Sequence, residues 1–126
     1  MSKNKEFSIT SATRYSLALF ELADESELIN KVEKNSLAFL GLIKNNLEFN
    51  NFIKDPTISK DILLNVVHKI CESSNLETLF KNFLSFLVIK RRFFFVEKIL
   101  KSFNEICSEK RGELKAEIKS AKELSQ

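Results

Sequence analysis

The side chains that could do chemistry are few in this chain. His68, the single histidine, falls within a helical run of apolar residues and has no visible ligand or base partner. Cys71 and Cys107 lack the CxxC spacing of redox and zinc sites. A nucleophilic cysteine needs a base and an activating environment, and the pattern indicates neither. We therefore expect a packed or boundary histidine and two reduced, buried thiols.

Motifs of catalytic and cofactor sites are missing as well. The sequence contains no P-loop, no GxGxxG and no HExxH, and its acidic residues are scattered over surface-like positions instead of clustered. We therefore expect no catalytic residue, no cofactor and no metal site. An enzyme interpretation has no residues to support it.

The composition favours a single helical domain. The 126 residues are enough for one compact domain, and 44% of them are hydrophobic, so a core without disulfides or metals is feasible. Two glycines and one proline are too few for the many turns of an all-β fold. The 20 basic and 17 acidic residues are interspersed, which is typical of a solvated helical surface. The longest apolar run is far shorter than the about 20 residues that span a bilayer, so we expect no transmembrane segment.

Apolar residues recur three and four positions apart through most of the chain, which predicts an all-α fold, a six-helix bundle. The predicted helical runs are Ala12–Ala23, Val32–Leu47, the short EFNNFIK piece before Pro56, Ile62–Ile70, Leu76–Val88 and Val96–Cys107. Ser59 and Asn75 are the predicted N-caps of the fourth and fifth helices. The fifth helix carries the strongest apolar pattern, so we expect it at the centre of the bundle.

The tail of the chain has a different pattern. From Gly112 onward apolar and charged residues alternate, as Leu114 and Ile118 do with their neighbours, and a period of two predicts a strand. A single strand has no partner in a helical chain. We therefore divide the chain into a helical bundle at residues 1–111 and, at 112–126, a hinge with the first strand of a truncated C-terminal domain.

Two of the predicted helices carry more apolar surface than one core needs. Such a helix is either fully surrounded within the bundle or carries a partner site, here a groove that accepts an amphipathic helix. In the fifth helix, Phe86 lies off the main apolar stripe but shares a face with Lys90. The candidate partner-binding residues are Tyr15, Ala18, Leu19 and Leu22 in the first helix, and Leu79, Phe83 and Phe86 in the fifth.

A basic cluster separates the last two predicted helices. Lys90, Arg91 and Arg92 are interpreted as a polar turn between them. At least one of the three phenylalanines that follow, Phe93–Phe95, must lie near the surface or under the turn, because three adjacent side chains cannot all face one core. The alternative function is that of a small helical nucleic-acid-binding protein that uses this cluster, with binding that falls steeply as salt rises.

Four stretches, in order along the chain, resemble one protein family. The stretches are ATRYSLALFELA (12–23), FNNFIKDPTISKDILLNVV (49–67), LFKNFLSFLVIKRRFFFVEKILKSFNEI (79–106) and RGELKAEIKSAKELS (111–125). Together they resemble the delta subunit of rotary F-type ATP synthases, called OSCP in mitochondria, over nearly the whole chain. Tyr15 matches the tyrosine of the family's first helix. Ser16 departs from the family pattern, which usually has alanine there.

The resemblance implies a six-helix bundle that binds the N-terminal helix of one alpha subunit between its first and fifth helices. It implies a non-catalytic stator subunit that links the catalytic head to the peripheral stalk, through a second domain that contacts the b subunits. We expect a chain that is not a homo-oligomer, binds no nucleic acid and is peripheral to the membrane. Its place would be the cytoplasmic face of a bacterial inner membrane, or the matrix side in a mitochondrion. The sequence stops where the second domain begins, so either it is a fragment or the stalk is bound otherwise.

Overall fold

The computed structural model describes the backbone of residues 2–124 and the side chains of residues 11–112. The backbone forms α1 (Ser2–Glu25), α2 (Ile29–Asn45), α3 (Leu47–Lys54), α4 (Lys60–Ser73), α5 (Thr78–Ile89), a 3-10 turn (Phe93–Phe95) and α6 (Val96–Leu124). Within these residues there are six α-helices and no strand, which confirms the all-α prediction. The first helix begins at Ser2, well before the predicted start at Ala12.

The core lies where α1, α2, α5 and α6 meet. The helix α6 packs against α1 and α2, while α5 pairs with α4 and also contacts α1 and α2. At the centre, the ring of Phe39 meets the rings of Phe49, Phe80 and Phe93 edge-on, at centroid distances of 5.7, 6.1 and 6.3 Å. Each buried side chain of this kind stabilises the fold by about 1.5–3 kcal/mol before entropy is counted. These contacts join α2, α3, α5 and the 3-10 turn into one core.

Three helices end in the same left-handed turn, and none of them uses glycine for it. Glu27, Asn75 and Arg91 have φ values of 57°, 53° and 58°. After each, the next backbone N–H donates to a carbonyl five residues back, at 2.8 to 2.9 Å, as in a Schellman motif. Asn75 therefore closes α4, and its predicted role as N-cap of α5 is wrong. The N-cap of α5 is Glu77, whose backbone N–H donates to Asn35 Oδ1 of α2 at 2.7 Å.

The basic cluster forms the turn between α5 and the 3-10 turn, as predicted. Arg91 supplies the left-handed residue, and the Arg92 N–H donates to the Leu87 carbonyl at 2.8 Å. Of the three phenylalanines that follow, Phe93 is buried, Phe95 is half-buried and Phe94 is 54% exposed. The expectation that at least one of them lies near the surface or under the turn is confirmed, with Phe94 at the surface.

The predicted strand in the tail is wrong. The backbone from 113 to 124 continues α6, although apolar and charged residues alternate there. The segment consists mainly of leucine, alanine, glutamate and lysine, which are strong helix formers, and no strand lies among the described residues to pair with it. A helix satisfies its own backbone hydrogen bonds, so it prevails over a strand without a neighbour. The predicted domain boundary at 111/112 falls inside α6 and stays a prediction.

Candidate partner-binding site

His68 joins two helices through a hydrogen bond. Its Nε2 lies 2.9 Å from Ser85 Oγ, and the Ser85 hydroxyl donates to the Lys81 carbonyl at 2.9 Å. The half-buried histidine thus connects α4 to α5, as expected for a packed or boundary side chain.

The two thiols are buried, free and not activated. Burial raises the pKa of Cys71 to about 11, and it raises that of Cys107 to about 11 as well. Since the thiolate is the nucleophile, such thiols are unreactive at neutral pH. Among the described residues, no group of three or more His, Cys, Asp or Glu side chains could hold a metal ion.

The inner face of α1 packs on α6, and the contacts between them show that the two helices run in the same direction. Ser16 is fully buried, and its Oγ lies 2.9 Å from Ser102 Oγ and 2.8 Å from the Ala12 carbonyl oxygen. Ala12 lines a cavity with residues 98–105, whereas Phe20 lines one with residues 107–111. Later residues of α1 therefore meet later residues of α6, so the two helices run parallel.

The helix α5 runs the other way. Its N-cap contacts the middle of α2 and its first turn contacts a later turn of α2, so α5 and α2 run in the same direction. The helix α2 begins beside residues 107–111 of α6 and ends beside its first turn, so both α2 and α5 run opposite to α6. Near the end of α5, Phe86 meets Tyr15 of α1. Because α1 is parallel to α6, α5 is antiparallel to α1. Two helical turns after Tyr15 comes Leu22, and two turns before Phe86 comes Leu79, so these two leucines lie toward the other end of the same surface.

An apolar surface, the α1–α5 seam, lies between the outer faces of these two helices. The Tyr15 and Phe86 rings meet edge-on with centroids 6.0 Å apart. Lys90 Nζ lies 5.8 Å from the centroid of the Phe86 ring, as in a cation–π contact. Leu22 is 47% exposed and Phe86 44% exposed, Ala18 is exposed, and Tyr15 and Leu79 are half-buried. The seam comprises Tyr15, Ala18, Leu22, Leu79 and Phe86.

Two of the seven predicted partner-binding residues lie beneath this surface. Leu19 has no exposed area and Phe83 is 5% exposed, and both belong to the core. They support the seam from below and offer a partner almost no area. The structure therefore brings five of the predicted residues together at the surface.

The shape of the seam favours a broad partner over a small molecule. A cavity of about 560 Å³ lies away from the seam, between Phe94 and the loop at Pro56. Small-molecule sites are deep and concave, whereas a helix can lie in a shallow apolar groove.

One pair of interacting residues was not foreseen from the sequence. Ser16 is buried and hydrogen-bonded to Ser102, although its serine was interpreted only as a small departure from alanine. Its place on the row of Ala12, Leu19 and Ala23 was the available signal, because those residues form the inner face of α1.

No helix among the described residues is long and apolar enough to cross a membrane.

Comparisons with protein families and with individual relatives find similarity to the same kind of protein. The family model described as ATP synthase delta (OSCP) subunit matches residues 12–126. An ATP synthase subunit delta from Pelagibacter ubique is 56% identical over the whole chain, which covers 68% of that relative. One from Chelativorans sp. is 34% identical over 114 residues, covering 90% of this chain and 61% of the relative. The chain thus spans about two thirds of the length of these curated relatives.

A solved structure shares the fold. A chain in the cryo-EM structure of the Toxoplasma gondii mitochondrial ATP synthase hexamer superposes with a TM-score of 0.70 and 25% sequence identity. The match covers 73% of this chain and 51% of that one.

Proposed function

This chain belongs to the family of ATP synthase delta (OSCP) subunits, and we propose that it binds the N-terminal helix of an alpha subunit in the α1–α5 seam. In this role it helps to hold the catalytic head to the peripheral stalk. The contribution is mechanical and involves no catalysis. Both thiols are buried with raised pKa values, and His68 is engaged with Ser85.

The observation that carries the proposal is the exposed apolar character of the seam. Leu22 and Phe86 leave nearly half of their side-chain surface open to water, next to the apolar surface of Tyr15, Ala18 and Leu79. A soluble domain seldom leaves such side chains adjacent unless a partner covers them. An amphipathic helix with small and apolar residues on one face fits between two helices, and Ala18 leaves room for its backbone to approach.

The further contacts of the subunit follow from the family. We propose that a second domain, beyond residue 126, contacts the b subunits of the peripheral stalk. The chain itself acts as a single copy, peripheral to the membrane, on the cytoplasmic face of a bacterial inner membrane or the matrix side of a mitochondrial one. The length of the curated relatives leaves room for that domain, since this chain spans 68% of one and 61% of another.

Titration calorimetry with a synthetic peptide tests the proposal. The peptide comprises the first 25 or so residues of the alpha subunit encoded in the same genome, and we expect a Kd of about 1 μM or tighter, equivalent to about 8 kcal/mol. A folded chain that releases no binding heat with this peptide refutes the proposal.

A matched pair of variants locates the site. Leu22→Lys places a charge in the seam, whereas Leu37→Lys places one on α2 at a leucine of similar exposure, 55% against 47%. We expect Leu22→Lys to weaken binding by about tenfold or more, because the lysine must be desolvated against an apolar partner, and Leu37→Lys to leave it unchanged. Equal effects of both substitutions would place the peptide elsewhere.

A further inference from the structure

Resting on the proposed function, we infer that the α1–α5 seam also sets the direction of the bound helix, because its two ends carry opposite charge. Arg14 and Lys90 mark one end, and Glu21 and Glu25 mark the other. A bound helix would then lie with its acidic end beside the first pair and its basic end beside the second. The seam would recognise the charge order of its partner as well as its apolar face.

The charges on α1 follow from helical spacing. Arg14 lies one turn before Ala18, and Glu21 and Glu25 lie three and seven positions after it, so all three border the exposed side of the seam. All three are exposed to solvent. Along this edge of α1 the charge therefore changes from positive to negative within about three helical turns.

The antiparallel course of α5 adds to the same polarity. Lys90 follows the last residue of α5, beside the early part of α1, and its Nζ lies over the ring of Phe86 in the seam. Lys81 is the one charged residue between Thr78 and Ile89. It lies on the same face of α5 as Ser85, which contacts His68 of α4, and this face points away from the seam. The macrodipoles of two antiparallel helices oppose each other, so the charged side chains decide the polarity.

This polarity predicts an orientation. Helices are stabilised by acidic residues in their first turn and basic residues in their last. A partner with that ordinary pattern would place its N-terminus beside Arg14 and Lys90, and its C-terminus beside Glu21 and Glu25. It would run parallel to α1 and antiparallel to α5.

The test uses two rearranged versions of the alpha-subunit peptide with the complete 126-residue chain. Both keep the apolar positions and the composition of the natural peptide. One has its acidic residues in the first half and its basic residues in the second, and the other has the reverse order. Each carries a nitroxide label at its N-terminus, and paramagnetic broadening of the backbone amide signals shows where that end lies.

We expect the label of the acid-first peptide to broaden the signals of Ser11, Tyr15 and Lys90. The label of the base-first peptide should instead broaden those of Leu22 and Leu79. A chain with Arg14→Glu, Glu21→Arg, Glu25→Lys and Lys90→Glu keeps its net charge and should exchange the two patterns. On the native chain these exposed pairs should favour the matched direction by about five- to tenfold at low salt, and by less at high salt.

The outcomes separate the two claims. If the natural peptide does not bind, the proposed function fails and this inference fails with it. If the natural peptide binds, but both labelled peptides place their N-termini at the same end, the function stands and the inference is refuted. Loss of binding by both rearranged peptides, while the natural one binds, also refutes it, because charge order would then give no orientation.

Discussion

The two faces of α1 have similar residues and opposite surroundings. On the inner face, Leu19 has no exposed area, and Ser16 approaches α6 closely enough for its hydroxyl to meet that of Ser102. On the outer face, Ala18 and Leu22 are exposed, and the Tyr15 ring meets that of Phe86 of α5 with centroids 6.0 Å apart. Both faces combine leucines with small residues. What differs is whether another helix of the same chain covers them.

Because one face is covered and the other is not, the two faces of α1 should contribute to different properties, the inner face to stability and the outer face to binding. A covered face stabilises the fold in proportion to the apolar area that it buries. An uncovered apolar face gains little from folding, and its area becomes useful only when a partner removes it from water. Substitutions on the inner face should therefore lower the free energy of unfolding, and those on the outer face should lower affinity.

The largest contrast is expected between two leucines of α1. Leu19→Ala creates a cavity in the core and should lower the free energy of unfolding by about 2–5 kcal/mol. Leu22→Ala removes a half-exposed side chain and should cost less than about 1 kcal/mol. Urea denaturation measures both values. Similar losses for the two variants would mean that Leu22 contributes to the core as Leu19 does, which would contradict the distinction between the two faces.

The outer face is tested by a pair of phenylalanines. Phe86→Ala removes a wall of the seam and should weaken binding of the alpha-subunit peptide by about tenfold or more, or about 1.4 kcal/mol. It should lower the free energy of unfolding by only about 0.5–1.5 kcal/mol, the value typical of one aromatic pair. Phe94→Ala, at 54% exposure outside the seam, is the matched control and should leave affinity unchanged. Calorimetry that finds the same affinity for both variants would remove Phe86 from the site.

The hydroxyl contact on the inner face should have a smaller effect. Ser16→Ala removes the bond to Ser102 and should cost about 1 kcal/mol. Ser36 is the control, because it is equally buried and its hydroxyl has no hydrogen-bond partner among the described residues. Ser36→Ala should be neutral or stabilising, since it removes a polar group that gains nothing from burial. Thermal unfolding that shows Ser16→Ala to be harmless would contradict the assigned contact.

The smallest expected effect concerns an ion pair between α2 and α6. Arg111 Nη1 and Nη2 donate to Glu33 Oε1 and Oε2 at 2.6 and 2.8 Å, and this hydrogen bonding lowers the pKa of Glu33 below its ordinary value of 4.5. A lowered pKa in the folded state means that the stabilisation is present above pH 4.5 and is lost as the pH falls through the folded-state value. Glu33→Gln should therefore be less stable than the native chain at neutral pH, with the difference shrinking in acid. A difference that does not depend on pH would show that the pair contributes nothing through its charge.

Much of the fold could be predicted because apolar residues three and four positions apart mark the face of a helix that packs against its neighbours. The turn at Lys90–Arg92 was predictable too, since a basic cluster interrupts two apolar runs. The strand in the tail was predicted wrongly because a period of two was given more weight than the strong helix propensity of the leucine, alanine, glutamate and lysine residues there.

The candidate site could be predicted only in part. Residues of the seam and of the core share the same types and spacings, and adjacent positions on a helix differ by about 100° around its axis. Whether Leu19 or Ala18 faces inward depends on how α1 is rotated against α6, and the sequence alone does not show that rotation. For the same reason, the hydrogen bond of Ser16 appeared only with the structure.

The most direct test of the outer face as a binding surface is a map of backbone amide shifts while the alpha-subunit peptide is added to the isotopically labelled chain. We predict that the largest shifts fall on Tyr15, Ala18 and Leu22 of α1 and on Leu79 and Phe86 of α5. The α4 helix, which does not border the seam, should stay unchanged. A peptide that binds while shifting residues on another surface, and leaves these five signals in place, would contradict the account.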